Sequence, residues 1–191
     1  METWVEFFAP FFDSLAAAED WVAQCEALAP PQNVARIMMH QTQRLISLAD
    51  DLPTIRPHAE PLQLLFLLVC AEHVTKLHHG FSGEGQSEAY VRRFFEGFVI
   101  GADRQTLSTA FADLTDHLLQ PLPFKKAVDL LYDIRCDVVH EGECWGFAFH
   151  DGVTPMVNVA PDVEARISLP ALRDIIVRGC IKAVSVKLAA P

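Results

Sequence analysis

Residues 62–78 are apolar on nearly every side of the helix that their spacing predicts. A helix of this kind is stable in water only when other elements surround it, so we expect it at the centre of the fold. Its strongest apolar run, residues 62–71, is too short to cross a bilayer and is followed by the charged residues Glu72 and Lys76. The chain is therefore expected to build a packed core around this helix, without a membrane span.

Helical spacing extends over most of the remaining chain. The other predicted helices cover residues 11–28, 33–52, 90–100, 107–119, 124–141 and 172–188. Pro30-Pro31 and Pro53 are expected to end the first two of these helices, and Ser168 is a candidate N-cap for the last. No repeat or linker divides the sequence. The pattern predicts a mainly α protein, a single helical bundle over residues 1–191.

The helical pattern changes after Gly142. Apolar residues then alternate with small or polar ones on both sides of an Asp151-Gly152 turn signal, which is typical of two short strands. The alternating residues are Trp145, Phe147, Phe149, Val157 and Val159. The sequence therefore predicts a small β-hairpin at about residues 144–159, before the C-terminal helix.

Charge and cysteine content restrict the kind of partner and compartment. The formal net charge of -10 at pH 7 argues against non-specific binding to nucleic acid or to an anionic membrane. Adjacent basic pairs occur at Arg92-Arg93 and Lys125-Lys126, where a local basic patch would have to form. The five cysteines are scattered and odd in number, and the start of the chain lacks the basic residues of a secretory signal. These features predict a cytoplasmic protein that does not bind membranes.

An arginine and a histidine stand five positions apart near the end of the predicted 124–141 helix. At about 100° per residue, Arg135 falls within the apolar stripe of that helix, whereas His140 falls on its polar side with Asp129. The positions of Arg135 and His140 are about 140° apart around the helix axis. They converge on one ligand only if the helix kinks or ends near Val139, or if a second subunit supplies one of them. A homodimer is therefore the natural arrangement for a shared site.

Arg135 needs a carboxylate partner, because an unpaired charge on a buried face is costly. Glu72, within the apolar 62–78 helix, has the same requirement. We therefore predict that Arg135 and Glu72 form an ion pair across the core. A purely structural interpretation covers both Arg135 and His140: Arg135 forms an ion pair, and His140 interacts with the last carbonyls of a helix that Gly142 ends.

The segment Arg135-Cys136-Asp137-Val138-Val139-His140 resembles the R-x4-H motif of the HEPN superfamily, the higher eukaryotes and prokaryotes nucleotide-binding domains. Leu131-Tyr132 before it and Glu141-Gly142 after it fit the usual context of that motif. The resemblance covers six residues and implies a HEPN-like helical bundle. Many members of the superfamily are metal-independent endoribonucleases that act as dimers, often in toxin–antitoxin or phage-defence systems. The resemblance thus implies RNA and an antitoxin protein as candidate partners, and neither a cofactor nor a metal.

Carried over to this sequence, the resemblance makes His140 the acid–base group and Arg135 the group that stabilises the phosphate in the transition state. Attack by a ribose 2′-hydroxyl needs proton transfer near neutral pH and a cation beside the developing charge. The position after the arginine, commonly asparagine in the family, is Cys136 here, and Asp137 is the candidate for the missing polar group. Glu72 and Glu141 complete the expected supporting residues. Other members of the superfamily are inert, so the alternative is a catalytically inert HEPN-like protein that binds or scaffolds a partner.

Two further patterns allow more than one interpretation. Cys136, His140 and Cys144 recur every four residues, as soft metal ligands on one helix face would. Gly142 is expected to end the helix before Cys144, and no closely spaced cysteine pair accompanies the set, so no metal site is predicted. Near the N-terminus an aromatic stripe is either core or a docking surface, and we favour an interface. It consists of Trp4, Phe7, Phe8, Phe11 and Phe12.

Overall fold

The computed structural model describes residues 2–56, 60–80, 83, 85–111, 123–140, 156–157, 164–165 and 167–189. Eight α-helices occur in this part of the chain, which is mainly α as the sequence predicts. They are α1 (Glu2–Phe8), α2 (Leu15–Glu26), α3 (Val34–Ile55), α4 (Glu60–His79), α5 (Ser87–Gly97), α6 (Gly101–Ala110), α7 (Phe124–His140) and α8 (Leu169–Ala189). A single 3-10 turn, Ala9–Phe11, follows α1. None of the described helices is both long and apolar enough to span a bilayer.

The apolar helix α4 lies at the centre of the bundle, which confirms its predicted position. It packs against α3, α5, α7 and α8. The buried side chains of α4 are Pro61, Leu64, Leu67, Leu68, Cys70, Ala71, Glu72, Val74 and Thr75. Burial of one leucine side chain contributes about 1.5–3 kcal/mol to stability, so this helix supplies much of the hydrophobic driving force. Glu72 is the charged exception within the set, and its partners define the candidate site.

The aromatic stripe near the N-terminus belongs to the core, so the interface that we favoured for it is wrong. Phe8 is fully buried, and the other four aromatic residues pack half-buried against the core. The ring of Trp21 in α2 lies 4.9 Å from that of Phe8, and its Nε1 donates a hydrogen bond of 3.0 Å to Ser185 Oγ in α8. Trp4 stacks on His40 of α3, with ring centroids 4.4 Å apart. These contacts hold α1 and α2 against the rest of the bundle.

The start of α2 differs from its prediction. The helix begins at Leu15 rather than at residue 11, because Ser14 is its N-cap. The Ser14 side chain accepts a hydrogen bond of 3.2 Å from the backbone N–H of Ala17, which satisfies one of the donors that a helix start leaves open. The preceding residues Ala9–Phe11 form the 3-10 turn instead.

Helix α3 passes through Pro53 and ends at Ile55, whereas Pro53 was expected to lie beyond the helix. A proline inside a helix leaves the carbonyl four residues earlier without its backbone donor. That carbonyl belongs to Ala49, and it accepts a hydrogen bond of 3.0 Å from the Gln63 side-chain amide of α4. The tertiary contact replaces the missing helical bond, and so the helix continues past the proline.

Helix α6 begins at Gly101, six residues before the predicted start at 107. Gly101 has a φ of 57°, a left-handed conformation that glycine adopts without strain, and it follows an extended Ile100. Asp103 in the first turn of α6 binds Arg178 of α8 through two hydrogen bonds of 2.8 Å each. Residues 112–119 of the predicted helix lie outside the described residues.

A pair of two-residue strands precedes α8. Strand β1 (Met156–Val157) pairs antiparallel with β2 (Glu164–Ala165). This is not the predicted pairing, in which residues 145–149 face residues 157–159. Residues 144–155 lie outside the described residues, so the predicted hairpin at 144–159 is not seen in the described part of the chain.

Candidate functional site

Helix α7 carries the arginine of the candidate site on the face that packs into the bundle. Val128, Leu131 and Ile134 on this face are buried, as the helical projection predicts. Arg135 lies beside them with 18% of its side chain exposed. The Arg135 side chain is therefore half-buried, at the boundary between the core and solvent.

Arg135 and Glu72 form the ion pair that the sequence predicts. The Arg135 Nη2 atom lies 3.9 Å from Glu72 Oε2, across the contact between α7 and α4. This distance is within ion-pair range but too long for a hydrogen bond. Since the Glu72 side chain is only 7% exposed, the pair is screened by little water.

The second carboxylate oxygen of Glu72 binds two residues that the sequence did not predict. Lys76, one helical turn along α4, donates a hydrogen bond to Glu72 Oε1. Ser87 Oγ, at the start of α5, donates to the same oxygen at 2.6 Å. The four-residue spacing of Glu72 and Lys76 is a signal that was available in the sequence. The Ser87 contact depends on how α5 packs against α4, which no local pattern reveals.

The electrostatic surroundings keep Glu72 ionised despite its burial. Burial alone would raise the pKa of its carboxyl group. The hydrogen bonds from Lys76 and Ser87, together with the charges of Lys76 and Arg135, outweigh that effect and hold the pKa below its usual range. Glu72 is therefore a buried, charged anchor that joins α4, α5 and α7.

Tyr132 and Cys136 complete the described surroundings of Arg135. The Arg135 guanidinium carbon lies 5.3 Å from the centre of the Tyr132 ring, a cation–π contact. Burial raises the pKa of the Tyr132 hydroxyl, and the neighbouring Cys136 raises it further, against the opposing effect of Arg135. The tyrosine is thus neutral near pH 7 and serves as a flat support for the guanidinium group.

The histidine of the motif is the last residue of α7. Its side chain and that of Asp137 lie outside the described side chains, and Glu141 and Cys144 lie outside the described residues. Positions 135 and 140 belong to one continuous helix, so they lie about 140° apart around its axis. Among the described residues, no group of three His, Cys, Asp or Glu side chains is arranged to hold a metal ion.

Asp129 is more buried than its position on the polar side of α7 predicted. We expected it on the outer, polar side, but its side chain is only 13% exposed because α5 packs there. Arg92 of α5 donates hydrogen bonds of 2.9 and 2.7 Å to Asp129 Oδ1, and Lys126 Nζ lies 3.7 Å from Oδ2. Asp129 thereby brings together Arg92 of the Arg92-Arg93 pair and Lys126 of the Lys125-Lys126 pair.

No protein-family model, curated protein or solved structure matches this chain. The likeness of residues 135–140 to the HEPN motif therefore stays a prediction that depends on six residues. Support for a function comes from the geometry around Arg135 and from the basic residues that precede it on α7.

Proposed function

We propose that the protein is a metal-independent endoribonuclease of the HEPN type, with Arg135 and His140 as its catalytic pair. The observation that carries this proposal is the half-buried Arg135 side chain, whose Nη2 atom lies 3.9 Å from Glu72 Oε2 without a hydrogen bond. A cation anchored in this way keeps its N–H groups for a phosphate. It is also oriented before the substrate binds, which favours electrostatic stabilisation of a transition state.

The reaction follows from the two side chains. The His140 imidazole accepts the proton of a ribose 2′-hydroxyl, and the 2′-oxygen attacks the adjacent phosphorus. The bond from phosphorus to the 5′-oxygen breaks, and that oxygen takes up a proton from a protonated imidazole. The products are a 2′,3′-cyclic phosphate and a 5′-hydroxyl. Arg135 stabilises the added negative charge on the phosphoryl oxygens.

The homodimer is part of the proposal because of the helix geometry. Positions 135 and 140 diverge by about 140° on one continuous helix, so one subunit presents them in different directions. Two copies of α7 that meet near their C-terminal ends would place the arginine of one subunit beside the histidine of the other. We place this activity in the cytoplasm, in a toxin–antitoxin or phage-defence setting, with an antitoxin protein as the regulatory partner.

Basic residues at the start of α7 support an RNA path despite the acidic net charge. Lys125 and Lys126 are exposed. The Lys126 side chain, which lies beside Asp129, is 66% exposed. The ten-residue separation between Lys125 and Arg135 spans about 15 Å along the helix and about 80° around its axis. A strand that contacts both Lys125 and Arg135 therefore winds part of the way around α7, whereas Lys126 lies on the side of the helix opposite Arg135.

The test is RNA cleavage by the purified full-length protein in the presence of EDTA. We expect cleavage to fall by at least about a hundredfold in His140→Ala and in Arg135→Ala. His73→Ala, which removes an exposed histidine on α4, is the matched control and should cleave normally. Circular dichroism melting of each variant separates loss of chemistry from loss of folding. Unchanged cleavage in folded His140→Ala protein would disprove the assignment.

A second candidate, an inert HEPN-like binding or scaffolding protein, is favoured by the same Glu72 network. Glu72, Lys76, Ser87 and Arg135 together join α4, α5 and α7, which is sufficient structural reason for a buried arginine. In that case neither the parent protein nor any variant cleaves RNA in EDTA, and Arg135→Ala lowers only the stability. The cleavage assay and the melting curves therefore distinguish the two candidates.

A further inference from the structure

The N-terminal part of the chain is electrostatically different from the rest. The first 35 residues contain six acidic residues and no Lys, Arg or His. The acidic residues are Glu2, Glu6, Asp13, Glu19, Asp20 and Glu26. They supply more than half of the net charge of -10 from less than a fifth of the sequence. A surface built by α1 and α2 is therefore strongly negative.

An open groove lies between α1 and α2, on this negative surface. It has a volume of about 560 Å³. Its apolar lining residues are Val5, Leu15 and Ala23, and its acidic ones are Glu2, Glu6 and Glu19. Leu15 is 58% exposed, a large value for a leucine in the first turn of a helix. The groove thus combines an uncovered apolar floor with a rim of carboxylates.

The three carboxylates of the rim have no cationic partner among the described residues. Glu26, by contrast, binds both Arg36 and His40 where α2 meets α3. Glu2 and Glu6 are four residues apart on α1, a spacing at which like charges repel each other and destabilise a helix. A cationic ligand on the rim would remove this repulsion.

The opposite faces of α1 and α2 hold the groove in shape. Phe8 is fully buried, and Trp21 Nε1 donates a hydrogen bond of 3.0 Å to Ser185 Oγ. The stacking of Trp4 on His40 fixes the middle of α1 against α3. A groove that exists before binding costs little conformational entropy when a ligand enters it.

We propose that the α1–α2 groove is a docking site for an amphipathic helix of a partner protein, with apolar residues on one face and Lys or Arg residues beside them. Two antiparallel or crossing helices offer ridges and grooves to a third helix, but no unpaired strand edge to an extended peptide. The acidic rim selects a cationic helix and disfavours RNA and anionic membranes. The residues that line the groove belong to α1 and α2, and the proposal does not depend on the ribonuclease assignment.

The test measures binding of a designed helical peptide to the full-length protein by fluorescence anisotropy. The probe carries leucines on one face and lysines on both flanks of that face, with a fluorescent label at one end. A second peptide has the same leucines and a glutamate in place of every lysine. We expect binding of the lysine peptide only, with weaker binding as the salt concentration rises, because exposed charges are screened.

Variants of the groove give the decisive comparison. Glu6→Lys should weaken binding of the lysine peptide by at least about threefold, since it reverses a charge on the rim. Asp51→Lys makes the same change in net charge on an exposed position of α3 and should leave binding unchanged. Leu15→Gln should weaken binding in the same way as Glu6→Lys, whereas Leu48→Gln, at a leucine of α3 that is 51% exposed, should not.

Three results would overturn the proposal. The first is equal binding of the two peptides, and the second is equal weakening by Glu6→Lys and Asp51→Lys. The third is self-association of the protein that Leu15→Gln abolishes in sedimentation experiments, which would make a second copy of this chain the occupant. Loss of peptide binding in Glu6→Lys together with unchanged folding and an unchanged oligomeric state would support it.

Discussion

The Arg135 guanidinium lies 3.9 Å from the carboxylate of Glu72, and the two residues come from helices that are far apart in the sequence. Lys76 and Ser87 bind the other carboxylate oxygen of Glu72. One buried carboxylate thus contacts two cations and joins α4, α5 and α7. Removal of that anion should disturb all three helices together.

The first prediction concerns the charge of Glu72. Glu72→Gln should lower the free energy of unfolding at neutral pH by about 2 kcal/mol, because Lys76 and Arg135 lose their buried counter-charge. Chemical denaturation followed by circular dichroism measures the change. Glu88→Gln is the matched control: Glu88 pairs with Arg92 but its side chain is 50% exposed, so its loss should change stability by less than about 0.5 kcal/mol.

The effect of Glu72→Gln should depend on pH in a defined direction. The ordinary pKa of the carboxyl group is 4.5, and the folded protein holds it lower. Glu72 therefore stabilises the fold fully above pH 4.5, and this contribution is lost as the pH falls through the folded pKa. The difference between the parent and the variant should shrink between about pH 7 and about pH 3.5. A constant difference over that range would show that the ionised form of Glu72 is not what matters.

The second prediction concerns His78, whose two ring nitrogens are buried and have no hydrogen-bond partner among the described residues. Its ring makes an edge contact with Phe98, with centroids 4.9 Å apart. His78→Phe removes the unsatisfied polar atoms and keeps an aromatic ring in the site, so it should stabilise the protein by about 1 kcal/mol near pH 8. Thermal melting measures the gain. His73→Phe, at an exposed histidine of the same helix, should give no comparable increase.

Acid should enlarge the stabilisation by His78→Phe. Burial, with the charges of His79 and Lys187, lowers the pKa of His78 from its ordinary 6.5. The unfolded chain therefore binds the proton more readily, and stability is lost as the pH falls from 6.5 through the folded pKa. A phenylalanine does not titrate, so the gain should be larger at about pH 5.5 than at about pH 8. An identical gain at both pH values would contradict this explanation.

The third prediction concerns the close approach of α8 to α5. A Cβ atom on Gly179 would lie 2.7 Å from Cζ of Phe94, a ring that is fully buried and packed against Phe95 and Phe98. Gly179→Ala should destabilise the protein by about 1 kcal/mol, because overpacking outweighs the better helix propensity of alanine. Gly97→Ala is the control, since nothing lies within 4 Å of its added Cβ.

A double variant tests the cause of the Gly179→Ala effect. Phe94→Leu removes the ring that the new methyl group would meet, so Gly179→Ala should cost less in that background than in the parent protein. Equal costs in the two backgrounds, measured by chemical denaturation, would exclude the Phe94 contact as the cause.

Features that follow from a local apolar pattern were predictable from the sequence. The central position of α4 follows from its all-round apolar surface, and the Glu72–Arg135 pair follows because each charge lies within an apolar stripe. The ion pair of Lys76 with Glu72 was also predictable, because the two residues are one helical turn apart on α4, but it was not predicted. These inferences need only the helical period and the cost of an unpaired buried charge.

Features that depend on packing between distant elements were not predictable in this way. The burial of Asp129 is set by α5, and the continuation of α3 through Pro53 depends on a hydrogen bond from Gln63 of α4. The aromatic stripe of α1 is core because Trp21 of α2 makes an edge contact with Phe8, and His40 of α3 stacks on Trp4. A helical projection identifies an apolar face but does not say which element covers it.

The fourth prediction concerns thiol reactivity. Cys25, Cys70 and Cys180 are fully buried, and burial raises the pKa of Cys25 to about 12 and that of Cys180 well above its usual range. The Sγ atoms of Cys70 and Cys180 lie 3.8 Å apart at the contact between α4 and α8. Cys136 is half-buried at the edge of the candidate site. Since the thiolate is the reactive form, N-ethylmaleimide should modify Cys136 well before the other three.

Peptide mapping by mass spectrometry after timed labelling measures the four rates. Cys144 lies outside the described residues, so the experiment uses Cys144→Ser protein to remove its contribution. Cys25, Cys70 and Cys180 should become reactive together when denaturant unfolds the bundle, because one cooperative core protects them. Labelling of Cys70 or Cys180 at the rate of Cys136 in native protein would show that the α4–α8 contact opens, and it would contradict the packing of α4 at the centre of this fold.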